Sequence, residues 1–231
     1  GKCRKAVDTY RHATGDTFEE VETAVRGFMA PGLRNVRAQV AIPGLAAYPT
    51  KFLKPEDAKS NDKTYRWEAK KYVRTVPKLF EYLRKQLGDE VEWLHDMHER
   101  VPPSLAIQLA KDLEPYDLYF LEDPFSPENV GWFSKLREQT STPIAMGELF
   151  NNPNEYVPLI SQRLIDFIRI HVSQIGGLTP ARKVAAMFDF FGVRTAWHGP
   201  GALSPVGHAA TVQPAFTHPH FGIQDPRSLP T

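Results

Sequence analysis

Residues 91–100 read VEWLHDMHER, residues 118–125 read LYFLEDPF, and residues 142–150 read TPIAMGELF. Each is a short apolar run that ends in an acid: Asp96, Glu122 and Glu148, each 26 residues from the next. About 25 residues is what one strand, one helix and two short loops consume in a β/α unit. Equal intervals therefore predict three carboxylates at one height on three consecutive parallel strands, where barrel enzymes carry their chemistry. Three converging carboxylates repel one another and lose hydration unless a cation joins them, so a hard divalent ion, Mg²⁺, is expected between them. The competing reading is three unrelated helix-capping acids, which gives no reason for constant spacing.

Outward from that stretch the same alternation continues. Strands are predicted at 7–14, 35–42, 91–98, 117–123, 143–149, 166–176, 193–199 and 220–225. Helices fill the intervals, beginning after a Thr17 cap, with Pro77 expected to kink or break the second and Gly192 to stop the sixth. Eight strands alternating with seven helices predict a single α/β domain over 1–231, a parallel α/β barrel of the TIM type. Residues 43–66 form the one long irregular connection, expected to be the least ordered part of the chain.

Composition narrows the function classes. The chain has 231 residues, 42% of them hydrophobic, enough for one full core. The 28 basic and 27 acidic residues are interspersed and leave a net charge of +1, which argues against a nucleic-acid or anionic-membrane surface. The single Cys3 rules out an intrachain disulfide and fits a reducing compartment. No run approaches the ~18 apolar residues of a membrane span, so the expectation is a cytoplasmic protein acting on a small molecule.

Side chains alternate along a strand, which sorts the remaining candidates. Asp96 and His98 share a parity, placing His98 beside the metal, where it can protonate a leaving group. His95 points the other way, as a structural histidine. Arg37 and Gln39 share the inward parity of the second strand, Gln39 as a substrate contact and Arg37 either catalytic or simply paired with one of the carboxylates. WHGPG brings His198 to the same mouth, with substrate contact as its expected role and helix capping or packing as the alternative.

The series DMH, FLEDP, AMGELF, IGGLT, WHGPG, SPVGHAA and FGIQ, in that order, resembles the enolase superfamily and, more narrowly, its D-mannonate dehydratase family. The resemblance runs from about Gly1 to Gln224. It implies a (β/α)7β barrel of the superfamily's C-terminal type, here without its capping domain, and Mg²⁺ held by Asp96, Glu122 and Glu148. It implies dehydration of a sugar acid such as D-mannonate or D-gluconate: loss of the proton α to the carboxylate, an enediolate, and departure of a protonated hydroxyl. The family's Tyr–Arg base matches Tyr48 and Arg37, its general acid His98, and its seventh-strand histidine His198. A guanidinium beside a phenol lowers its pKa, which a phenolate base requires. The full-length protein is expected to be a homo-oligomer.

Three positions depart from the family pattern. Ala202 stands where Asp is common, Asp225 where Glu is common after FGIQ, and the Arg37–Tyr48 interval is one residue short. Asp225 is thus a substrate contact shortened by one methylene. The departures support a second reading, a catalytically weak or silent relative that binds a sugar acid or serves regulation.

Overall fold

The computed structural model describes residues 1–42, 67–201 and 203–225. Its first half runs β1 (Arg11–Gly15), α1 (Phe18–Met29), β2 (Asn35–Val40), α2 (Ala69–Leu87), β3 (Glu92–Asp96), α3 (Pro103–Leu113) and β4 (Leu118–Glu122). The second half runs α4 (Trp132–Arg137), β5 (Ile144–Met146), α5 (Pro153–Ser161), β6 (Phe167–Ile168), α6 (Leu178–Phe191), β7 (Arg194–Trp197), α7 (Pro205–Thr217) and β8 (Phe221–Gln224). The strands make one parallel sheet in chain order. Its two edges meet where Thr9 pairs with Gln224 and the Gln224 amide donates to the Asp8 carbonyl at 2.9 Å. That contact closes the sheet on itself, as a barrel requires. This is the expected (β/α)7β barrel, with eight strands and seven α-helices among the described residues.

Local chemistry sets the boundaries. Thr17 Oγ1 accepts from the Glu20 amide at 3.2 Å and starts α1. At α5, Asn152 Oδ1 accepts from the Asn154 amide at 3.0 Å and Glu155 Oε2 from the Asn152 amide at 3.1 Å. Gly192, at φ 75°, takes the left-handed turn that ends α6. The break expected at Pro77 is absent: α2 runs through it. Proline inside a helix costs ~3 kcal/mol. One face of α2 buries Tyr72, Val73, Val76, Leu79, Phe80, Leu83 and Leu87, and at about 1.5–3 kcal/mol for each large side chain that burial outweighs the lost bond.

Several strands are shorter than predicted. The first begins at Arg11 rather than residue 7, and β5 covers three residues. The predicted strand 166–176 keeps regular ladder geometry only at Phe167–Ile168. The Ile170 carbonyl still accepts from the His198 amide at 3.0 Å, whereas Val172 and Ile175 are buried within turns, so burial rather than sheet pairing explains the end of that pattern. The fourth helix contracts to Trp132–Arg137, preceded by a 3₁₀ turn at Pro127–Asn129.

Two cores result. Between sheet and helices, Val36, Trp93, Leu121, Ile144, Ile168 and Trp197 pack outward. Inside the barrel, Tyr10, Leu94, Phe120, Ala145, Phe167, Ala196 and Ile223 form a separate cluster. One step further along the same inward rows, towards the strands' C-terminal ends, the interior turns from apolar to charged: Arg37, Asp96, Glu122 and Arg169 are all buried. The apolar layer is the floor of the site.

Candidate metal and active site

Asp96 and Glu122 sit opposite one another in the β3–β4 register, as the spacing predicts. Glu148 does not continue that row. The register partner of Glu122 on β5 is Ala145, three residues earlier. Glu148 reaches the mouth through Gly147, whose φ of +133° turns the chain inward after β5 ends. Equal spacing therefore holds for a different reason than equal height. A Cβ at Gly147 would lie 2.8 Å from Ile168 Cδ1 and 3.2 Å from Phe150 Cδ2, so packing as well as φ calls for glycine there.

His98 also arrives by a turn. β3 ends at Asp96, and His98 has φ 49°. Its Nδ1 lies 3.8 Å from Asp96 Oδ2 and 3.6 Å from Glu148 Oε1. His198 follows β7, its Nε2 3.4 Å from Glu148 Oε2 and 3.9 Å from Asp225 Oδ2. Burial first, and then the Arg169 and His171 charges, outweigh Glu148 and Asp225 and lower His198 to about 4. Gln39 is buried, and its Nε2 donates to the Asp96 carbonyl at 3.0 Å, leaving Oε1 as its unused acceptor. His95, on the outer face, bonds the Ala38 carbonyl through Nδ1 at 2.9 Å and the Tyr72 hydroxyl through Nε2 at 2.7 Å. Tyr48, Ala202 and the whole 43–66 connection lie outside the described residues.

Two buried guanidiniums run through the cluster. Arg37 Nη1 lies 3.2 Å from Asp96 Oδ2 and 3.1 Å from Glu122 Oε1, while Nη2 meets His12 Nδ1 at 3.1 Å. Arg169 Nη2 lies 2.7 Å from Glu122 Oε1, 3.1 Å from Glu148 Oε2 and 3.5 Å from Asp225 Oδ2. Its Nη1 donates to the Tyr10 hydroxyl at 2.7 Å. Asp225 also accepts from His12 Nε2 at 3.1 Å. Burial works against the Asp225 anion, but the His12 hydrogen bond and the Arg169 charge hold its carboxyl below the usual range.

Arg169, His12, Tyr10 and Asp123 are site residues that the sequence reading missed. Arg169 shares its parity with Phe167 in DFIRIHV, and a charge inside an apolar strand run is the signal that points to it. Asp123 directly follows Glu122 and has no exposed surface; neither of its carboxylate oxygens has a hydrogen-bond partner. Glu122 Oε2 is likewise buried and unpartnered.

Burial, and then the neighbouring Glu148 and Glu122, push Asp123 well above the usual carboxylate range. Burial raises Glu122 to about 8 even against Arg169. Glu148 resists burial because His198, Arg169 and His98 together hold it down to about 2. Burial beside other carboxylates thus raises Asp123 and Glu122, and a divalent ion opposes that rise.

Two sets of donors converge within 4.8 Å: Asp96 with His98 and Asp123, and Glu122 with Asp123 and Glu148. Among the described residues, five buried acids (Asp96, Glu122, Asp123, Glu148, Asp225) accompany two buried arginines. Hard oxygen donors in excess over positive charge, with Glu122 Oε2 and both Asp123 oxygens unpartnered, fit a hard divalent cation. Cavities of ≈500 Å³ between α6 and α7 and ≈450 Å³ at the strands' opposite ends lie away from this cluster, which charge rather than hollow volume identifies.

Among the described residues, no helix is long and apolar enough to cross a membrane. The chain is 47% identical to a D-galactonate dehydratase family member of Musicola paradisiaca and to another of Salmonella enteritidis. Each match covers 97% of this chain and 57% of the relative. The chain thus spans little more than half the length of the curated relatives it matches. A crystal structure described as an enolase from Pantoea ananatis with bound D-gluconate and Mg superposes with a TM-score of 0.89 at 43% identity, covering 100% of this chain and 58% of that one. Residues 55–230 match the family model described as enolase C-terminal domain-like. The chain belongs to the enolase C-terminal domain-like family.

Proposed function

We propose that this chain is the catalytic barrel of a Mg²⁺-dependent hydro-lyase that dehydrates a sugar acid, D-gluconate or D-mannonate being the first candidates. The observation that carries the reading is the convergence of buried carboxylates at the barrel mouth, in excess over the two buried arginines. The gluconate and Mg of the Pantoea ananatis structure support it, as do the dehydratase names of the relatives. The domain reading goes with it: residues 1–231 form one barrel, and a capping domain belongs to the longer protein.

Asp96, Glu122 and Glu148 would hold the ion. When bound, Mg²⁺ supplies positive charge against the negative charge that grows on the substrate carboxylate as the α-proton leaves. The chain's own groups do the rest. Arg37 and Tyr48 form the base: the guanidinium, fixed by Asp96, Glu122 and His12, favours a phenolate that takes the α-proton. His98, at the rim beside Asp96 and Glu148, gives a proton to the departing hydroxyl, which leaves as water. Gln39 Oε1, His198 and Asp225 orient the substrate hydroxyls. Arg169 holds Glu122, Glu148 and Asp225 in place from below.

One observation favours the silent-relative reading. Asp225 is already engaged by His12 and Arg169, which leaves less of it for substrate. Steady-state kinetics of the whole protein on D-gluconate, D-mannonate and D-galactonate separates the two. Turnover of at least one acid, abolished in His98→Asn with Mg²⁺ affinity kept, supports the lyase; a positioned proton donor is worth about 10²–10⁴ in rate. Binding of an acid sugar without turnover supports the silent relative.

A further inference from the structure

Asp123 has no task in the proposed dehydration. Its position is fixed: the backbone takes φ 44°, and the amide donates to the Ala145 carbonyl at 3.0 Å. The side chain is wholly buried with both oxygens unpartnered, and it belongs to both converging donor sets. One set, with Glu122 and Glu148, is all oxygen. The other, with Asp96 and His98, contains an imidazole. Carboxylates and water suit Mg²⁺, whereas imidazole suits transition metals. A carboxylate has two oxygens and can bridge two ions about 3.5–4 Å apart.

Charge points the same way. Arg37, Arg169 and one divalent ion offer four positive charges to five buried carboxylates. A second cation removes the remaining negative charge and leaves the mouth positive, as an anionic substrate requires.

We infer that Asp96, His98 and Asp123 form a second divalent-cation site that prefers a borderline ion such as Mn²⁺, Co²⁺ or Zn²⁺. The inference rests on the proposed Mg²⁺ site, with which it shares Asp96. It has a functional consequence. A His98 nitrogen committed to an ion cannot deliver a proton, so filling the second site inhibits dehydration. Turnover should rise and then fall with increasing Mn²⁺, and rise to a plateau with Mg²⁺.

The test is a count of Mn²⁺ bound to the metal-free whole protein, by electron paramagnetic resonance. Two ions per chain, with the line broadening of a close pair, are expected in the wild type, and one in Asp123→Ala. Should Asp123→Ala fail to fold, His98→Asn decides the matter, because its partly exposed side chain is safer to change; it too should bind one. Loss of the high-Mn²⁺ inhibition in Asp123→Ala is the matching kinetic result. A single Mn²⁺ in the wild type, removed by Glu122→Gln and kept in Asp123→Ala, overturns the second site while the Mg²⁺ reading stands. Two ions retained in both Asp123→Ala and His98→Asn also overturn it. No bound Mn²⁺ overturns both.

Discussion

Arg169 Nη2 lies 2.7 Å from Glu122 Oε1, and neither side chain has any exposed surface. The same nitrogen reaches Glu148 and Asp225, so one guanidinium ties the ends of β4, β5 and β8 together beneath the mouth. Removing one partner of a buried ion pair costs about 3–5 kcal/mol, because the other charge is left uncompensated. Arg169→Met should therefore lower stability by about that much, or roughly 10 °C in Tm for a domain of this size. Saturating Mg²⁺ should return part of the loss by taking over Glu122 and Glu148. A melting temperature within about 2 °C of wild type, smaller than even 1 kcal/mol would give, would show that Arg169 is not the tie.

Gly147 carries the turn that brings Glu148 inward. Gly147→Ala places a β-carbon where Ile168 and Phe150 already sit and imposes a strained φ, at about 1–3 kcal/mol. Relief of that strain should swing Glu148 away, with divalent-ion affinity falling at least about tenfold, as 1.4 kcal/mol would give. Gly32→Ala, at φ +100° with open space around it, is the control for backbone strain alone. Calorimetric titration with Mn²⁺ compares the two; equal affinities would contradict the role given to Gly147.

His95 should make stability pH-dependent. Burial lowers it to about 4 in the folded chain, even though Ala38 and Asp96 favour the cation, whereas the unfolded value is about 6.5. Between these values the unfolded state binds the extra proton. Stability is therefore full above pH 6.5 and declines as pH falls towards 4, by about 1.4 kcal/mol per pH unit from this one group. His95→Gln can still hydrogen-bond Ala38 and Tyr72 but does not titrate. Urea midpoints at pH 7.5 and pH 5 should differ less in His95→Gln than in wild type; an equal difference would assign the pH dependence to other groups.

Much of the fold was legible because its signals are local. Thr17, Asn152 and Gly192 announce helix ends through their own hydrogen bonds and torsions. Alternation placed Arg37 and Gln39 inside and His95 outside, and the structure agrees. What was not legible depends on register and on turns. Glu148 and His98 reach the mouth through backbone conformations that no strand periodicity contains. Val172 and Ile175 look like strand because they are buried, although the ladder has already ended. Arg169 was passed over because a lone charge in an apolar run says nothing of its partners, Glu122 on β4 and Tyr10, Glu148 and Asp225 just outside β1, β5 and β8. Pro77 misled for the opposite reason: a local penalty of ~3 kcal/mol loses to the packing of a 19-residue helix.

The most direct measurement is a diffraction structure of the whole protein with Mg²⁺ and D-gluconate. One Mg²⁺ should take an oxygen each from Asp96, Glu122 and Glu148 at about 2.1 Å, with the sugar-acid carboxylate and waters completing the shell. Arg37 and Arg169 would retain only part of their present contacts. A mouth in which these three carboxylates stay paired to the two arginines, with Mg²⁺ absent or bound elsewhere, would contradict the proposed metal site and the dehydratase built on it.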